Sequence, residues 1–452
     1  MEAVTIESLA KAIDGKVLKG DASKEIHKVI IDSRQDGTGG VFFAIKGEAT
    51  DGHLYIDQAV ENNVTSIVVH NDLEIDKVNA AVIKVTDTTQ ALLDFAGYYK
   101  SLFNIPVVAI TGSCGKTTTK DIIASVLSQK FNTLKTQGNY NNQTGLPQNI
   151  FNLNSSHQMA VLEMGMSNFG EIYNMAKRVK PDIAVITNIG YSHIEYLKSR
   201  ENILKAKTEI LSFFNEKNIA VINGDDDYLK NISSDNYKIY KVGIHAGDIK
   251  AQGIRQIKSG IEFNVGDEKY CFPLIGIHNV YNCLYAITIA KIYGLSHSQI
   301  QAGFDAFKPS ANRMDIKEHN GYTIINDAYN SNPAAAKAAL DVLKNIDKQG
   351  RKIAVLADML ELGQFSKSLH EEIGKYAANC EIDMLITIGK EAQYIFTSAK
   401  EAGVANAEYF TDNKSASNYI QSIIRPGDII LFKGSRGMRL EQIINNIYSK
   451  EN

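Results

Sequence analysis

The stretch Val107-Val-Ala-Ile-Thr-Gly-Ser-Cys-Gly-Lys-Thr-Thr-Thr119 contains an apolar run, a glycine loop and the start of a helical pattern. The run from Val107 to Ile110 suits a buried strand. Glycines let the following backbone curl so that its N–H groups face an anion, and a helix N-terminus adds its dipole. Lys116 would then reach the β- and γ-phosphates of a nucleotide, and the Thr117 hydroxyl would bind Mg²⁺. The stretch therefore predicts a phosphate-binding loop between a strand and a helix.

The loop is a shorter variant of the usual pattern. That pattern places a glycine five residues before Gly115, where this chain has Ile110, and the nearer glycine is Gly112. A chance Gly-Lys-Thr in a turn is the alternative interpretation. The order strand, loop and helix favours the phosphate loop, because the mechanism requires that order. We interpret Cys114 as a small packing residue rather than a nucleophile.

The rest of the chain repeats the alternation of strand and helix. Apolar β-rich runs alternate with helical patterns through nearly all 452 residues, which predicts an α/β fold with mainly parallel sheets. This length suggests two to four domains. We place domain boundaries after residue 103, near Pro106, and after Ser310, which follows Pro309. The predicted domains are residues 1–103, 104–310 and 311–452.

Composition narrows the class of protein. The net charge of −3 gives no electrostatic reason to expect a nucleic acid or an anionic membrane as partner. The 4 cysteines are widely spaced, which argues against a disulfide scaffold or a cysteine metal site. The N-terminus lacks the pattern of a signal peptide, and no apolar stretch approaches the ~18–20 residues that span a bilayer. These features predict a cytoplasmic protein without membrane insertion.

Several polar residues follow predicted strands or lie on helices. Glu163 ends an apolar strand, where a carboxylate can hold Mg²⁺ beside a phosphate loop or can simply be solvated. His193 follows another strand and is either a hydrogen-bonding histidine or an unusual Mg²⁺ ligand. Lys207 on a helix is most often a solvated residue. His278 and Asn282 share a helix face and could read adenine or merely pack the helix.

Taken together, these motifs resemble those of the Mur ligases over essentially the whole chain. Shared motifs are the phosphate loop, Glu163, Asn188-Ile-Gly to His193, Ala206-Lys207, Asn223-Gly-Asp-Asp226 and His278-Asn279. The segment Asp327-Ala-Tyr-Asn-Ser-Asn-Pro333 resembles the signature of the members that add a dipeptide. Four more segments agree with those members: Asp358-Met-Leu-Glu-Leu-Gly363, Lys433-Gly-Ser-Arg436, Asp32-Ser-Arg34 and Phe42-Phe-Ala-Ile-Lys-Gly47.

The resemblance implies a three-domain Mur ligase architecture. Residues 1–103 would bind the uridine nucleotide, and 104–310 would form a central P-loop-type parallel-sheet ATPase domain. Residues 311–452 would form a Rossmann-like domain that closes over ATP and binds D-alanyl-D-alanine. The implied reaction is ATP-dependent joining of D-alanyl-D-alanine to UDP-N-acetylmuramoyl-tripeptide through an acyl phosphate, in peptidoglycan precursor synthesis. ATP and Mg²⁺ are the implied cofactors. We expect a monomer, and the third peptide residue, lysine or diaminopimelate, stays open.

Site residues follow from the same resemblance. The implied catalytic residues are Lys116, His193 and Lys207. The implied Mg²⁺ ligands are Thr117, Glu163, His193 and Lys207. The implied nucleotide-binding residues are Gly112, Ser113, Cys114, Gly115, Lys116, Thr117, Thr118, Asn223, Asn279, Asn282, Arg313, Asp327 and Tyr329. The implied substrate-binding residues are Ser33, Arg34, Lys46, Asn139, Asn141, Asn142, Thr144, Asn330, Asn332, Lys433, Ser435 and Arg436.

Some details and alternatives accompany these expectations. The resemblance implies that Lys207 can carry a carbamate, which would turn a cation into an oxygen ligand. Asn312 precedes Arg313 where relatives often have glycine, so the local backbone is expected to differ. No residue stands out as the general base. Alternative functions are another Mur ligase, a folylpolyglutamate synthase, and a nucleotide-operated switch or transport ATPase.

Overall fold

The computed structural model describes residues 1–47, 50–72, 74–310, 312–346 and 350–449. The chain divides into two compact units. One unit contains Met1–Ile110, Phe131–Ala184 and Glu209–Asn218, and the other contains Thr111–Lys130, Val185–Thr208 and Ile219–Asn452. The predicted boundaries after residues 103 and 310 stay predictions, and Ala311 lies outside the described residues.

The strands, in chain order, are β1 Val4–Thr5, β2 Lys16–Lys19, β3 Glu25–Ile26, β4 Lys28–Ile30, β5 Gly40–Phe43, β6 Ser66–Val69, β7 Ala81–Lys84, β8 Val107–Thr111, β9 Thr133–Lys135, β10 Met159–Glu163, β11 Ile183–Ile186, β12 Ile219–Asn223, β13 Lys238–Gly243, β14 Ile249–Ile257, β15 Gly260–Val265, β16 Glu268–Phe272, β17 Asp315–His319, β18 Tyr322–Asn326, β19 Lys352–Ala357, β20 Met384–Ile388, β21 Ala407–Phe410 and β22 Ile429–Lys433.

The α-helices are α1 Ile6–Ala12, α2 Ile56–Glu61, α3 Thr88–Ser101, α4 Lys116–Leu127, α5 Gly145–Ile150, α6 Glu171–Val179, α7 Ile194–Leu197, α8 Arg200–Thr208, α9 Ile277–Ile292, α10 His297–Asp305, α11 Pro333–Asn345, α12 Ser366–Ala378, α13 Ala392–Glu401, α14 Asn413–Ile423 and α15 Glu441–Tyr448. Short 3-10 helices are Gly52–Tyr55, Ile75–Lys77, Glu209–Leu211, Leu229–Asn231, Gly363–Phe365 and Arg436–Met438.

In the first unit, a five-stranded sheet has the order β2-β7-β6-β5-β4. Only β2 is antiparallel to its neighbour. Phe42, Ile67 and Val82 lie opposite one another on successive strands and pack against Ile56 and Ala59 of α2. Apolar residues on these short strands therefore form a core of their own.

The first unit also contains the strand that carries Glu163. Strand β10 lies between β8 and β9 and is parallel to both. All five of its residues are buried, which explains its continuous apolar sequence before the carboxylate. Glu163 therefore stands at the carboxyl end of a buried parallel strand, where α/β proteins commonly bind ligands.

In the second unit, a six-stranded sheet has the order β17-β18-β22-β19-β20-β21. Strands β17 and β18 are antiparallel, and the other neighbours are parallel. Ile324, Ile430, Val355 and Ile386 contribute to the core that α14 and α15 cover. Asp327 and Lys433 lie at the carboxyl ends of the neighbouring strands β18 and β22, so the sheet brings these distant residues together.

Helices α4 and α9 also belong to the second unit and pack against each other. Most of α9 is buried, as expected for a helix whose residues are apolar nearly all round. The residues between Tyr237 and Leu274, whose sequence is rich in β-forming residues, form β13 to β16, of which β14, β15 and β16 are antiparallel. No helix in the described residues is both long and apolar enough to cross a membrane.

The prediction of an α/β fold with parallel sheets is confirmed. The amphipathic pattern of Met1 to Ile13 predicts a helix over these residues, but this prediction is too long, because the helix begins only at Ile6. Thr5 ends the preceding strand and accepts a hydrogen bond from the Ser8 N–H, which caps the helix there. Pairing of β1 with β3, a contact between residues about twenty positions apart, holds the first residues extended.

Candidate functional site

The phosphate loop is curled by its two glycines. Gly112 has φ +148° and Gly115 has φ +81°, conformations that side chains rarely adopt. A Cβ atom at Gly112 would lie 1.8 Å from Thr187 Oγ1, so only glycine fits there. Helix α4 begins at Lys116, whose ammonium group donates a hydrogen bond to the Gly112 carbonyl at 2.9 Å. The loop and helix predicted from the sequence thus form at these positions.

Thr187 and Asn188 hold the middle of this loop. The Cys114 N–H donates to Asn188 Oδ1 at 2.9 Å, and Asn188 Nδ2 donates to the Cys114 carbonyl at 3.2 Å. The Thr187 hydroxyl donates to the same carbonyl at 2.6 Å. Sequence reasoning quoted Asn188 in a motif but assigned it no role. Its position directly after a buried strand was the signal that could have found it.

Ser113 is anchored by the residues that follow Asn188. Its N–H donates to the Asn188 carbonyl at 3.0 Å, and its Oγ accepts from the Gly190 N–H at 2.8 Å. Its carbonyl accepts from the Ser192 hydroxyl at 2.9 Å. The shortened loop is therefore stabilised by a second loop rather than by additional residues of its own.

Two of the three asparagines predicted to surround adenine lie beside this loop. Asn282 Oδ1 accepts from the Thr119 hydroxyl at 3.0 Å, and Asn282 Nδ2 donates to Asn279 Oδ1 at 3.1 Å. Both are buried on α9. Asn223 differs, because its Oδ1 accepts from the N–H of Asp225, its near neighbour. The adenine role of all three stays a prediction.

Arg313, Asp327 and Tyr329 are brought together in the second unit. The Arg313 guanidinium lies 4.0 Å from the Tyr329 ring centroid, a cation–π contact. Asp327 Oδ1 accepts from the Met314 N–H at 3.1 Å. Asn312 has φ +59°, the left-handed region that favours glycine and that asparagine tolerates best among the other residues. This glycine-like backbone is therefore compatible with the asparagine, and the expected difference from relatives stays a prediction.

Two predicted substrate residues support the segment Asp327–Pro333 from behind. The buried Lys433 ammonium lies 2.7 Å from Asp327 Oδ2 and donates to the Asn330 carbonyl at 2.6 Å. The Ser435 hydroxyl donates to the Ser331 carbonyl at 3.5 Å and accepts from the Leu360 N–H at 2.9 Å. By contrast, Arg436 is exposed, and its Nη1 lies 3.5 Å from Glu441.

His193 is joined to a residue that sequence reasoning did not assign. His193 Nδ1 lies 2.6 Å from Glu361 Oε2, and the Glu195 N–H donates to the Glu361 carbonyl at 3.1 Å. The hydrogen bond to His193 holds the pKa of Glu361 below its ordinary value. Asn332 Nδ2 donates to Ser192 Oγ at 2.9 Å. Residues 192–195 thus contact both Asp327–Pro333 and Asp358–Gly363, the two segments that resemble those of dipeptide-adding members.

Lys207 lies on α8 and is fully buried. Burial, followed by the nearby Lys116 charge, lowers the pKa of Lys207 well below its ordinary value. In the described part of the chain, its ammonium group makes no hydrogen bond or ion pair. A solvated surface position, the commonest role for a helical lysine, is therefore wrong here. The neutral amine favoured by this environment is the form that adds to carbon dioxide.

In the first unit, Glu163 is buried and Asn141 lies beside it. Asn141 Nδ2 donates to Glu163 Oε1 at 2.7 Å, and the Glu163 N–H donates to Thr136 Oγ1 at 2.9 Å. Asn142 Oδ1 accepts from the Gly145 N–H at 2.8 Å and from the Thr144 hydroxyl at 3.2 Å. The Asn139 side chain is exposed.

The predicted uridine-binding residues occupy separate surroundings in the first unit. Ser33 is buried and donates to Gln58 Oε1 at 2.7 Å. Arg34 is exposed and pairs with Asp32, which lowers the pKa of Asp32 to about 2. Lys46 is exposed and forms a backbone bridge with Asp51. Substrate contact by these residues stays a prediction.

The predicted Mg²⁺ ligands can be tested by the chemistry of their donor atoms. Thr117 supplies a buried hydroxyl in the first turn of α4, and Glu163 supplies a buried carboxylate. These oxygen donors fit the preference of Mg²⁺. His193 supplies a ring nitrogen that Glu361 already engages, and Lys207 fits only as a carbamate. The described residues contain no cluster of three or more His, Cys, Asp or Glu that could hold a metal.

Comparisons with known proteins find similar sequences and similar folds. The model of the Mur ligase middle domain matches residues 110–290, and that of the Mur ligase glutamate ligase domain matches 312–436. The model described as the Mur ligase family catalytic domain matches 25–100. MurF from Acinetobacter baumannii has a crystal structure with a TM-score of 0.91, 30% identity and 99% of each chain covered. MurF from Thermotoga maritima, solved with ADP, has a TM-score of 0.84 and 28% identity over 94% of this chain and 97% of that one.

Curated relatives extend over the same length. UDP-N-acetylmuramoyl-tripeptide–D-alanyl-D-alanine ligase from Bacillus subtilis (strain 168) is 36% identical over 448 residues, 98% of each chain. The enzyme of that name from Escherichia coli (strain K12) is 31% identical over 455 residues, again 98% of each chain. With these matches spanning its whole length, the chain belongs to the Mur ligase family.

Proposed function

We propose that this protein is an ATP-dependent ligase that joins D-alanyl-D-alanine to UDP-N-acetylmuramoyl-tripeptide. Its product would be UDP-N-acetylmuramoyl-pentapeptide, a peptidoglycan precursor. The relatives that match nearly the whole chain carry the name of this ligase. The segment Asp327–Pro333 argues against another Mur ligase or a folylpolyglutamate synthase, because those enzymes differ there.

One observation carries the proposal. The residues 192–195 contact the phosphate loop through Ser113 and also contact Asn332 and Glu361, which lie in the two segments typical of dipeptide-adding members. An enzyme that phosphorylates a peptide acid and then delivers a dipeptide amine needs both groups near one triphosphate. A nucleotide-operated switch has no need of the second group.

The chemistry follows from the weakness of a carboxylate as an acylating agent. The tripeptide carboxylate attacks the γ-phosphorus of ATP, which forms an acyl phosphate and releases ADP. The amine of D-alanyl-D-alanine then attacks the acyl carbon, loses a proton, and expels phosphate. The protein acts mainly by positioning the reactants and neutralising charge. Lys116 would follow the charge on the transferred phosphoryl group, and closure of residues 311–452 would exclude water.

Thr117 and Glu163 would hold a first Mg²⁺ and His193 a second, together with a carbamate on Lys207. Mg²⁺ would reduce repulsion between the anions and stabilise charge on the transferred group. The buried environment of Lys207 supports this assignment, because it favours a neutral amine that can react with carbon dioxide. The carbamate would place an anion beside Lys116 in place of a neutral amine.

Other parts of the proposal concern substrates and setting. Residues 1–103 would bind the uridine nucleotide through Ser33, Arg34 and Lys46. Arg313, Asp327 and Tyr329 would contact ATP from residues 311–452. We also propose that the protein works as a monomer in the cytoplasm, the compartment that supplies ATP.

The deciding experiment measures products. The purified chain is incubated with Mg²⁺, ATP, D-alanyl-D-alanine and UDP-N-acetylmuramoyl-tripeptide that contains lysine or diaminopimelate, and the products are weighed by mass spectrometry. We expect ADP, phosphate and a product longer by one dipeptide in equal amounts. Phosphate release without either peptide substrate, or extension by another amine alone, would contradict the proposed function.

A further inference from the structure

Ser192 bonds two loops that have different predicted tasks. Its Oγ donates to the Ser113 carbonyl at 2.9 Å and accepts from Asn332 Nδ2 at 2.9 Å. Ser113 belongs to the phosphate loop, and Asn332 caps the N-terminus of α11. A single hydroxyl thus bridges the nucleotide loop and the segment predicted to bind the dipeptide.

The direction of this hydrogen-bond chain is determined by the groups at its ends. Asn332 Oδ1 accepts from the Ala335 N–H at 2.9 Å, so the Asn332 amide nitrogen must face Ser192. The Ser113 carbonyl can only accept, so the Ser192 hydrogen must point to it. Each bond in such a chain polarises the next. Both partners of Ser192 would be left without this bond if the hydroxyl were removed.

A second contact adjoins this bridge. His193 and Glu195, the residues next to Ser192, both bond to Glu361. Glu361 belongs to the other segment shared with dipeptide-adding relatives. Residues 192–195 therefore meet both of these segments, whereas only Ser192 connects directly to the phosphate loop through its side chain.

We propose that Ser192 is a positioning residue that couples the phosphate loop to the cap of α11, so that ATP and the dipeptide each strengthen the binding of the other. A ligand that orders one end of the chain reduces the ordering cost at the other end, which produces positive coupling. This inference deepens the proposed function and rests on it.

The experiment measures the coupling directly. Binding of a non-hydrolysable ATP analogue with Mg²⁺ is measured by calorimetry in the presence of saturating UDP-N-acetylmuramoyl-tripeptide, with and without D-alanyl-D-alanine. We expect the dipeptide to tighten analogue binding by about fivefold or more, within the usual range of coupling between sites. The reciprocal measurement, dipeptide binding with and without the analogue, must give the same factor.

Ser192→Ala tests the hydroxyl. We expect this variant to lose most of the coupling factor while each ligand still binds, whereas Ser192→Thr, which keeps a hydroxyl, retains it. Ser422→Ala is the matched control, because it removes a serine hydroxyl that donates only to the Tyr419 carbonyl on an exposed surface. Thermal melting of all variants checks that they are folded.

The outcomes separate the inference from the proposed function. The inference is overturned if Ser192→Ala keeps the coupling factor of the wild type. It is also overturned if the wild type forms the pentapeptide product but the dipeptide does not change its affinity for the ATP analogue. If the wild type forms no such product, the proposed function fails and the inference fails with it. Loss of coupling in Ser192→Ala and Ser192→Thr alike would assign the effect to packing rather than to the hydrogen bond.

Discussion

The phosphate loop and the segment Asp327–Pro333 both follow a buried strand and lead into a helix, but different forces shape them. The first is curled by Gly112 and Gly115 and held by neutral hydrogen bonds from Asn188. The second contains no glycine and is held by the Lys433 ammonium, more than one hundred residues away in the chain. Backbone conformation therefore governs one loop, and a buried charge governs the other.

This difference has a consequence for function. The bonds between Asn188 and Cys114 that hold the phosphate loop join neutral groups, so they do not change with pH. The segments Asp327–Pro333 and Asp358–Gly363 are held instead by ionisable side chains. Lys433 pairs with Asp327 in the first segment. In the second, Glu361 contacts His193, and the Met359 N–H donates to His370. Variants at these positions can therefore break the two regions separately.

The largest effect is expected for Lys116→Ala. Removing the ammonium group takes away charge stabilisation at the phosphates, and we expect turnover to fall by about 10³-fold or more while the fold survives. Product formation is measured by mass spectrometry, and folding by circular dichroism. Lys130→Ala is the control, because Lys130 donates to carbonyls at the end of α9. Near-normal turnover of Lys116→Ala would refute its role.

Lys207→Ala should reduce turnover by about 10²-fold, because it would remove the carbamate oxygens. Short carboxylic acids such as formate or acetate should restore part of the activity, since their oxygens can occupy the same place. Turnover is measured with increasing acid. Lys205→Ala, on the exposed face of the same helix, is the control and should be unaffected by acid. Full activity of Lys207→Ala without acid would contradict the proposed role.

Lys433→Met should weaken the second loop and leave the first intact. The substitution leaves the Asp327 carboxylate without its buried partner, and we expect the free energy of unfolding to fall by about 2–3 kcal/mol. The KM for the dipeptide should rise more than the KM for ATP. Urea denaturation and steady-state kinetics provide the two measurements.

Lys317→Met is the matched control for that variant. Lys317 pairs with Asp315 at 2.6 Å on the same sheet, but it is exposed. An exposed pair contributes little, so the unfolding free energy should change by less than about 1 kcal/mol. Equal losses in the two variants would mean that burial of Lys433 has no special importance.

Asn188→Ala should weaken the first loop and leave the second intact. Losing the two bonds to Cys114 should weaken binding of an ATP analogue about tenfold, the equivalent of about 1.4 kcal/mol. Calorimetry measures that affinity, and the KM for the dipeptide should change less. Asn406→Ala, which removes one exposed bond to the Asp383 carbonyl, is the control. Unchanged analogue affinity in Asn188→Ala would show that glycine alone shapes the loop.

The smallest effect concerns pH and His370. Burial lowers the pKa of His370, although the Ser366 carbonyl, Asp358 and Glu391 oppose this shift. Between pH 7.5 and 5.5 the unfolded chain therefore binds a proton that the folded chain resists. The contribution of His370 to the free energy of unfolding is fully present above about pH 6.5, the pKa of histidine in the unfolded chain. This contribution should fall by up to about 1.4 kcal/mol at pH 5.5.

His370→Gln tests this dependence. Glutamine can still accept from the Met359 N–H but does not titrate, so its unfolding free energy should fall less between pH 7.5 and 5.5. The half-buried His278, whose pKa is also lowered, contributes equally to both proteins and cancels in the difference. Parallel losses measured by urea denaturation would exclude His370 as the source.

The sequence was sufficient to predict features whose conformation is determined by a few adjacent residues. The strand, glycine loop and helix around Gly115 form where the sequence predicts them. Asn312 has a left-handed conformation that an asparagine side chain tolerates, and the sequence-based expectation that its backbone differs from that of relatives stays a prediction.

Residues paired across the chain could not be read in the same way. The buried Lys207 and the exposed Lys205 lie on the same helix, and in the sequence they differ only in the face of the helix they occupy. Because lysines are usually exposed, that difference was not enough to predict the burial of Lys207. Asn188, Ser192 and Glu361 received no role, because their partners lie about seventy to one hundred and seventy residues away.

The amino-acid sequence by itself determined the alternation of strands and helices, the glycine-dependent curl of the phosphate loop and the resemblance to Mur ligases. Those properties depend on neighbouring residues and their backbone preferences. The tertiary structure decided which side chains are buried together, so that Lys207 loses its proton readily, Lys433 supports Asp327, and Ser192 joins two loops. Burial and long-range hydrogen bonding exist only after the chain has folded, because they require residues distant in sequence to become neighbours.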